Sequence, residues 1–191
     1  MPPPFDVLID AVTKITELTE VEVLQIRSCF TERTVKKKEI FLQAGQVCRK
    51  IFFVARGLVR TFHLNPNGSE FTRLFVQEGQ FCTVLISFNE HLASPASFQA
   101  LEDSTLLEIN ESDFRMLVTK FPKLQSVYLK ILEDYQNFQI RRIELLTQCN
   151  PKEKVAAFHT DSPELKARLS HKMIASYLQI SPETYSRCLG E

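Results

Sequence analysis

The chain has 191 residues, of which 44% are hydrophobic and 24% are charged. This composition is ordinary for a folded protein with a buried core, and it excludes a disordered or fibrous chain. The formal net charge is +0. A strong overall attraction to nucleic acid or to membranes is therefore excluded, and any surface that binds DNA must be a local patch.

The N-terminal sequence bears on cellular location, and the cysteines bear on metals and cofactors. The first residues lack a basic stretch followed by an apolar core, and no segment is apolar for the length of a membrane helix. We expect a cytoplasmic protein with no membrane contact. The cysteines form no C-x-x-C pair and no cluster with histidines, so we expect reduced thiols, no metal and no cofactor. They are Cys29, Cys48, Cys82, Cys149 and Cys188.

The first segment, residues 5–30, predicts one or two short helices. Its apolar side chains recur mostly at three- and four-residue spacing, which is the period of one helix face. They are Leu8, Val12, Ile15, Leu18, Val21, Leu24 and Ile26.

Residues 33–109 have the pattern of an antiparallel β-domain. Short runs of Val, Ile, Leu, Phe and Thr alternate with turns centred on Gly45, Gly57, Gly68 and Gly79. The run 51–54 is entirely apolar, as in a strand that is covered on both faces. Within the turn Asn65-Pro66-Asn67-Gly68, the pair Asn67-Gly68 can supply the positive φ angles of a hairpin tip. These features predict a sandwich or barrel of antiparallel strands.

A helix of about seven turns is predicted from Pro122 to Thr147. One apolar stripe runs along it in alternating four- and three-residue steps, interrupted by Arg142. We interpret the stripe as the seam of a homodimer, because a long helix with one sustained seam usually needs a partner; packing on its own β-domain is the alternative. The predicted interface residues are Leu124, Tyr128, Ile131, Tyr135, Phe138 and Leu145.

Thr147 to Asn150 breaks the helical pattern, and Asn150-Pro151 predicts the start of another helix. The C-terminal segment then predicts two helices joined by a tight turn. Ser170 caps the first, and Ser181-Pro182 supplies the cap and first position of the second. Ala175 is small where two helices would cross closely. This arrangement is typical of a helix-turn-helix, and a purely structural helical hairpin is the alternative.

The second of these helices would present side chains able to contact DNA bases. Arginine can bind guanine with two hydrogen bonds, and glutamate can accept one from cytosine. Basic residues before it would contact phosphates, with Lys152 and Lys154 as further candidates. The predicted DNA-binding residues are Lys166, Arg168, Ser170, His171, Lys172, Ser181, Glu183, Thr184 and Arg187.

These segments resemble the Crp/Fnr (catabolite-activator-like) transcription regulators. The resemblance lies in the run from Glu39 to Phe81, in Phe114-Arg115-Met116-Leu117, and in Ser181-Pro182-Glu183-Thr184-Tyr185-Ser186-Arg187. The last run is similar to the family's Ser-Arg-Glu-Thr-Val-x-Arg recognition helix, with proline in place of the first arginine. The resemblance implies an α+β fold: a jelly-roll-like antiparallel β-roll of the cyclic-nucleotide-binding type, a long dimerisation helix and a C-terminal helix-turn-helix.

We therefore divide the chain into a β-roll sensor domain over residues 1–118, a dimerisation helix over 119–148 and a helix-turn-helix DNA-binding domain over 149–191, with residues 147–150 as a hinge. The resemblance also implies a β-wing after the recognition helix, and the sequence ends before one, as a truncated winged helix would. The recognition helix carries the negative Glu183 as well as the positive Arg187, so its net charge is small. We therefore expect weak DNA binding that depends on dimerisation.

The sensor pocket departs from that of cyclic-AMP binders. In the family, a Gly-Glu pair binds the ribose and an Arg-Ser pair binds the cyclic phosphate; here the pairs are Thr83-Val84 and Ser94-Pro95. No arginine or lysine occurs between Arg73 and Arg115, so a buried phosphate would stay uncompensated. We expect a small effector other than a cyclic nucleotide, or none. The predicted pocket residues are Phe81, Thr83, Val84, Ser94, Ser97 and Gln139.

Two family alternatives are disfavoured by the residues. Iron–sulfur sensors of the Fnr type carry an N-terminal group of cysteines, and no cysteine precedes Cys29. His63 and His91 are isolated, as surface histidines are, rather than arranged as haem ligands.

We expect a transcription regulator that binds double-stranded DNA as a homodimer, with RNA polymerase as a further candidate partner. The alternative is a sensor or protein-interaction module with degenerate DNA binding. An enzyme is not expected, because no catalytic triad, carboxylate pair or phosphate loop appears in a strand-to-helix context.

Overall fold

The computed structural model describes residues 2–65 and 67–190, so the predicted Pro66 of the hairpin tip lies outside the described residues. Contacts group the chain into two compact units. The first, which we call the β-roll unit, comprises residues 1–63 and 74–133; the second, the helical unit, comprises residues 64–73 and 134–191.

In the part of the chain that the structure describes, eight strands form two four-stranded sheets, in the orders β1-β8-β3-β6 and β2-β7-β4-β5. The pairs β1–β8, β3–β8, β3–β6, β2–β7 and β4–β7 are antiparallel. The predicted α+β class with an antiparallel β-roll is confirmed. The strands are β1 (Thr31–Val35), β2 (Ile40–Leu42), β3 (Lys50–Arg56), β4 (Val59–Leu64), β5 (Glu70–Val76), β6 (Phe81–Cys82), β7 (Ser97–Ala100) and β8 (Ser104–Asn110).

The apolar run in β3 is explained by burial on both faces of its sheet. Phe53 belongs to a cluster that also contains Leu8, Leu107 and Leu124, whereas Phe52 and Val54 belong to a second cluster with other β residues. Because successive strand side chains point to opposite faces, a strand between two cores needs no polar positions.

Helices cover the β-roll unit before and after its strands. In the predicted N-terminal helical segment, Leu8, Val12 and Ile26 are buried, whereas Val21 and Leu24 are exposed. The helices of this unit are α1 (Pro4–Thr13), α2 (Glu20–Cys29), α3 (Leu85–Glu90), α4 (Glu111–Lys120) and the first part of α5 (Pro122–Gln148).

One of the predicted glycine turns requires glycine for space as well as conformation. Gly57 has a φ of +96°, and a Cβ atom there would lie 2.1 Å from the hydroxyl oxygen of Ser104. Any other residue would therefore combine left-handed strain with a clash.

The described residues of the helical unit contain the rest of α5 and the short helices α6 (Pro151–Asp161), α7 (Pro163–Arg168), α8 (His171–Leu178) and α9 (Pro182–Leu189). The predicted caps are confirmed: Asn150 accepts from the amides of Lys152 and Glu153, and Ser170 and Ser181 cap α8 and α9. The unit's core is formed by Val155, Phe158, Leu165, Leu169, Ile174, Ala175, Leu178 and Tyr185.

Contacts place the boundary between the units inside α5, between Glu133 and Asp134, and assign the hairpin residues 64–73 to the helical unit. The division at residues 118 and 148 therefore remains a prediction about separable domains. Within the described residues, no helix is both long and apolar enough to cross a membrane.

Candidate nucleic-acid interface

Helices α8 and α9 form the predicted helix-turn-helix. Gln179 adopts a left-handed conformation with a φ of 56°, and the amide of Ile180 donates to the carbonyl of Ala175 at 3.1 Å. Ala175 is fully buried. A small residue at this position allows the two helices to approach closely, as the sequence predicted.

The N-terminal face of α9 is exposed and ordered by its own side chains. Ser181 accepts from the amide of Thr184 at 3.1 Å, and the guanidinium of Arg187 donates to the hydroxyl of Thr184 at 3.3 Å. Hydrogen bonds from the hydroxyl of Ser181 and from the backbone of Glu183, together with the charge of Arg187, lower the pKa of the Glu183 carboxyl. Both charged heads remain exposed, so this face presents one donor group and one acceptor group.

The predicted phosphate-binding residues lie on α7 and on the first turn of α8. Lys166, His171 and Lys172 are exposed, and Arg168 is half-buried. The hydroxyl of Ser170 accepts from the amide of Met173 at 3.4 Å. The structure thus brings the predicted DNA-binding residues into one unit, and their contacts with DNA remain a prediction.

Sequence reasoning missed the anchor beneath this face. Tyr185 is fully buried, and its hydroxyl lies 2.8 Å from Nε2 of His159 in α6. The ring of His171 packs edge-on against Tyr185 with centroids 5.1 Å apart. The available signal was the tyrosine itself, which stands where the family motif has valine, because a buried tyrosine hydroxyl requires a partner.

The polar side chains predicted to line the sensor pocket are bonded to nearby backbone. The Thr83 hydroxyl donates to the carbonyl of Lys50 at 2.9 Å, and the Ser94 hydroxyl donates to that of Ala96 at 2.7 Å. The Ser97 hydroxyl accepts from the amide of Ala44 at 2.9 Å. These hydroxyls therefore brace loops and strands of the β-roll unit.

The other predicted pocket residues differ in their surroundings. The ring of Phe81 packs against that of Phe53 with centroids 4.8 Å apart, and Val84 packs against a β-core cluster. Gln139 belongs to the helical unit. That these residues line one pocket remains a prediction. Among the described residues, no three His, Cys, Asp or Glu side chains are grouped as metal ligands would be.

The stripe predicted as a dimer seam is largely covered within the chain. Leu124 is buried, Ile131 packs against the same core cluster, and the Tyr128 ring lies 4.9 Å from that of Phe114. In the helical unit, the Tyr135 hydroxyl accepts from Arg73 at 3.3 Å. Leu124, Tyr128 and Ile131 therefore follow the alternative interpretation, packing on their own β-domain, while Phe138 and Leu145 are half-buried.

A different face of α5 carries the exposed aliphatic side chains. Leu129, Ile140 and Ile143 are 57%, 46% and 61% exposed. Leu129 and Ile143 are fourteen residues apart, which is two heptads, so they lie on one stripe of the helix.

Comparisons with known proteins agree with this architecture. Residues 32–121 match the cyclic nucleotide-binding domain family. The anaerobic regulatory protein of Haemophilus influenzae is 26% identical over 187 residues, covering 91% of this chain and 71% of that protein. The fumarate and nitrate reduction regulatory protein of Vibrio cholerae is 26% identical over 171 residues, covering 83% and 67%.

Solved structures show the same fold. FixK2 from Bradyrhizobium japonicum matches with a TM-score of 0.75 at 18% identity, covering 84% of this chain and 83% of that one. A mutant of CooA from Carboxydothermus hydrogenoformans matches with a TM-score of 0.73 at 23% identity, covering 92% and 84%. Residues 32–121 thus carry the cyclic nucleotide-binding domain, and the chain as a whole is similar over most of its length to regulators of the Crp/Fnr type.

Proposed function

We propose that the protein is a cytoplasmic transcription regulator that binds double-stranded DNA as a homodimer. The observation that carries the proposal is the α8–α9 helix-turn-helix. On the core side of α9, Tyr185 is buried, and on its solvent side, Glu183 and Arg187 are exposed. A recognition helix reads base edges from such an exposed N-terminal face. The similarity to named anaerobic and fumarate–nitrate regulators supports the same function.

Base reading and phosphate binding fall to different residues in this proposal. Arg187 is suited to guanine and Glu183 to cytosine, because one donates and the other accepts in the major groove. Lys166 and Lys172 supply exposed positive charge, and His171 an exposed ring donor, for phosphates, which contribute affinity without sequence choice. Ser170, Ser181 and Thr184 shape the helix ends that approach the backbone.

A second copy of the chain is proposed to pack on the exposed face of α5. Leu129, Ile140 and Ile143 recur at heptad positions, as in a two-helix seam, with the polar Glu133 and Gln136 at the heptad positions between Leu129 and Ile140. Leu124 and Ile131 of the predicted stripe already pack in the β-roll unit, so we place the seam on the exposed strip instead. A two-fold seam would also present two recognition helices to a palindromic site.

The residues of the predicted pocket restrict the kind of effector. The hydroxyls of Thr83, Ser94 and Ser97 are bonded to backbone, and Val84 and Pro95 stand where cyclic-AMP binders carry glutamate and serine. A small effector other than a cyclic nucleotide, or ligand-independent action, fits these residues. Mass spectrometry of whatever molecule copurifies with the protein would identify an effector. RNA polymerase is a further candidate partner.

The test is selection of binding sites from a random duplex library. We expect wild type to enrich a near-palindrome with half-sites about one helical turn apart. Arg187→Ala should enrich a relaxed version of the same site. If no palindrome is enriched, and all duplexes bind only at the weak, salt-sensitive level of non-specific binding, the proposal fails.

The second candidate is a sensor or protein-interaction module without specific DNA binding. It is favoured by the opposite charges of Glu183 and Arg187, which leave the recognition face nearly neutral. Failure of the selection, together with a stable dimer in sedimentation, would support it.

A further inference from the structure

Arg142 is the buried charge that interrupts the apolar stripe of α5. Arg142 is 7% exposed, and among the described residues no carboxylate forms an ion pair with it. Its Nη2 donates to the backbone carbonyl of Tyr177 in α8 at 2.8 Å and to that of Thr72 in β5 at 3.4 Å. The guanidinium carbon lies 3.8 Å from the centre of the Tyr177 ring. All these residues belong to the helical unit.

The surroundings explain how a cation is tolerated there. Tyr177 is the second-last residue of α8, so its carbonyl is among those at the helix end that have no partner within the helix. The C-terminal end of a helix carries partial negative charge, and an aromatic face also attracts a cation. Burial lowers the pKa of Arg142, and the neighbouring Arg73 lowers it further. The guanidinium therefore depends on α8 for its compensation.

A second set of hydrogen bonds joins the hairpin to the same helix. The amide of Thr72 donates to the hydroxyl of Ser176 at 3.0 Å, and that hydroxyl lies 3.2 Å from the carbonyl of Glu70. Thr72 is fully buried. Arg142 and Ser176 thus hold α5, α8 and the hairpin strand together at one place, which we call the Arg142 clamp.

The clamp spans the joint between the long helix and the helix-turn-helix. Only Cys149 and Asn150 lie between the end of α5 and the start of α6. Arg142 precedes this joint and Tyr177 follows it, so a rotation at the joint would separate them. Because α9 packs on α8, the direction of the recognition helix follows that of α8.

We propose that Arg142 is a positioning residue that fixes the direction in which the recognition helix leaves α5, and thereby the half-site spacing that a dimer accepts. The inference rests on the proposed function for its consequence in DNA binding. It does not require Arg142 to touch DNA or an effector.

The geometry calls for arginine in particular. A guanidinium can donate to carbonyls from two different elements while its flat face covers an aromatic ring. Lysine would keep the charge without the flat face over the Tyr177 ring, and methionine would keep only the packing of the stem. Arg141, the exposed neighbour on the same helix, offers a matched control with the same charge.

The first test uses the full-length protein without DNA, followed by amide hydrogen exchange. Without Arg142 on the Thr72 carbonyl, the hairpin should separate from α8 more readily and break the bond from the Thr72 amide to Ser176. Arg142→Met and Arg142→Lys should therefore each raise the exchange rate of the Thr72 amide by about tenfold. In Arg141→Met, the Thr72 amide should exchange at the wild-type rate. The exchange rates of the β3 amides should be unchanged in all variants.

Two results would overturn the clamp. One is a Thr72 amide as protected in Arg142→Met as in wild type. The other is an increase of similar size in β3, which would mean that Arg142 only stabilises the whole fold. If Arg142→Lys alone behaves like wild type, charge rather than the planar guanidinium holds the joint, and the stated requirement for arginine is wrong.

The second test measures affinity for duplexes that carry two selected half-sites at separations varied in single base pairs. Wild type should bind duplexes with one separation more tightly than all others. In Arg142→Met, the ratio between the affinity for that separation and the affinity for the others should fall about tenfold. Affinity for a single half-site should stay at the wild-type value. An unchanged separation profile in Arg142→Met contradicts the inference. A wild type with no preferred separation contradicts the proposed function instead, and hydrogen exchange then still decides whether Arg142 holds the joint.

Discussion

The hydroxyl of Tyr185 and Nε2 of His159 lie 2.8 Å apart and share a hydrogen bond that ties the recognition helix α9 to α6. Tyr185 is fully buried, while His159 is half-buried. The pair places a polar contact directly under the surface proposed to meet DNA. Its loss should therefore affect both stability and DNA binding.

Replacing Tyr185 with Phe should lower the free energy of unfolding by about 1 kcal/mol, because the ring stays packed while one buried hydrogen bond is lost. Urea denaturation measures the change. His159→Gln combined with Tyr185→Phe should cost little more than Tyr185→Phe alone. Fully additive losses in the double variant would show that the two side chains act independently.

Stability should fall as pH falls through the ordinary pKa of histidine. Burial, followed by the charges of Lys166 and His171, lowers the pKa of His159 below its usual 6.5. The unfolded chain therefore takes up this proton at a higher pH than the folded chain, so folding loses free energy from about pH 7 downward, until the folded pKa is passed. Urea denaturation across this range measures the slope, and His159→Gln should flatten it. An unchanged slope in that variant would assign the effect to other groups.

Disruption of the α5 strip should produce monomers. Ile140→Glu with Ile143→Glu would place unpaired charge in the proposed seam without touching the core, since both side chains are exposed. Sedimentation at micromolar concentration should report a dimer for wild type and a folded monomer for the variant. By contrast, Ile131→Glu should lower the free energy of unfolding by about 2 kcal/mol or more, because Ile131 packs against the β-roll core. A monomeric wild type would rule out the seam.

Cyclic AMP and cyclic GMP should not bind. A phosphate in the β-roll would need a cationic partner, and residues 74–114 contain no arginine or lysine. The hydroxyl of Ser94 is already bonded to Ala96. Calorimetric titration is the direct measurement. A dissociation constant of micromolar or tighter for either nucleotide would refute this prediction.

Mutations of base-contacting residues and of phosphate-contacting residues should have different effects on DNA binding. Arg187→Ala should cost about 1–3 kcal/mol on the selected site and relax discrimination at one position. Lys172→Ala should weaken all duplexes alike and reduce the slope of affinity against salt by about one. Fluorescence anisotropy at several salt concentrations distinguishes the two. Equal losses on specific and random duplexes for Arg187→Ala would contradict its proposed role.

Features determined by neighbours in the sequence were predictable from it. The caps at Asn150, Ser170 and Ser181 are bonds to amides two or three residues away, so residue type and spacing suffice to locate them. The apolar run in β3 likewise indicated a strand between two cores. The helix-turn-helix followed from two such caps and a buried Ala175.

Only the tertiary structure decided which face of α5 is covered and what Arg142 does. Several apolar stripes are available on a long helix, and its rotation is set by elements far away in the chain; Arg142 bonds to Thr72, 70 residues distant. The exposed Ile143 and the buried Leu124 are both aliphatic, so composition could not distinguish them. The bond between His159 and Tyr185, which are 26 positions apart, was hidden for the same reason. Helices α7 and α8 lie between α6 and α9 in the chain and must pack before the two rings come together.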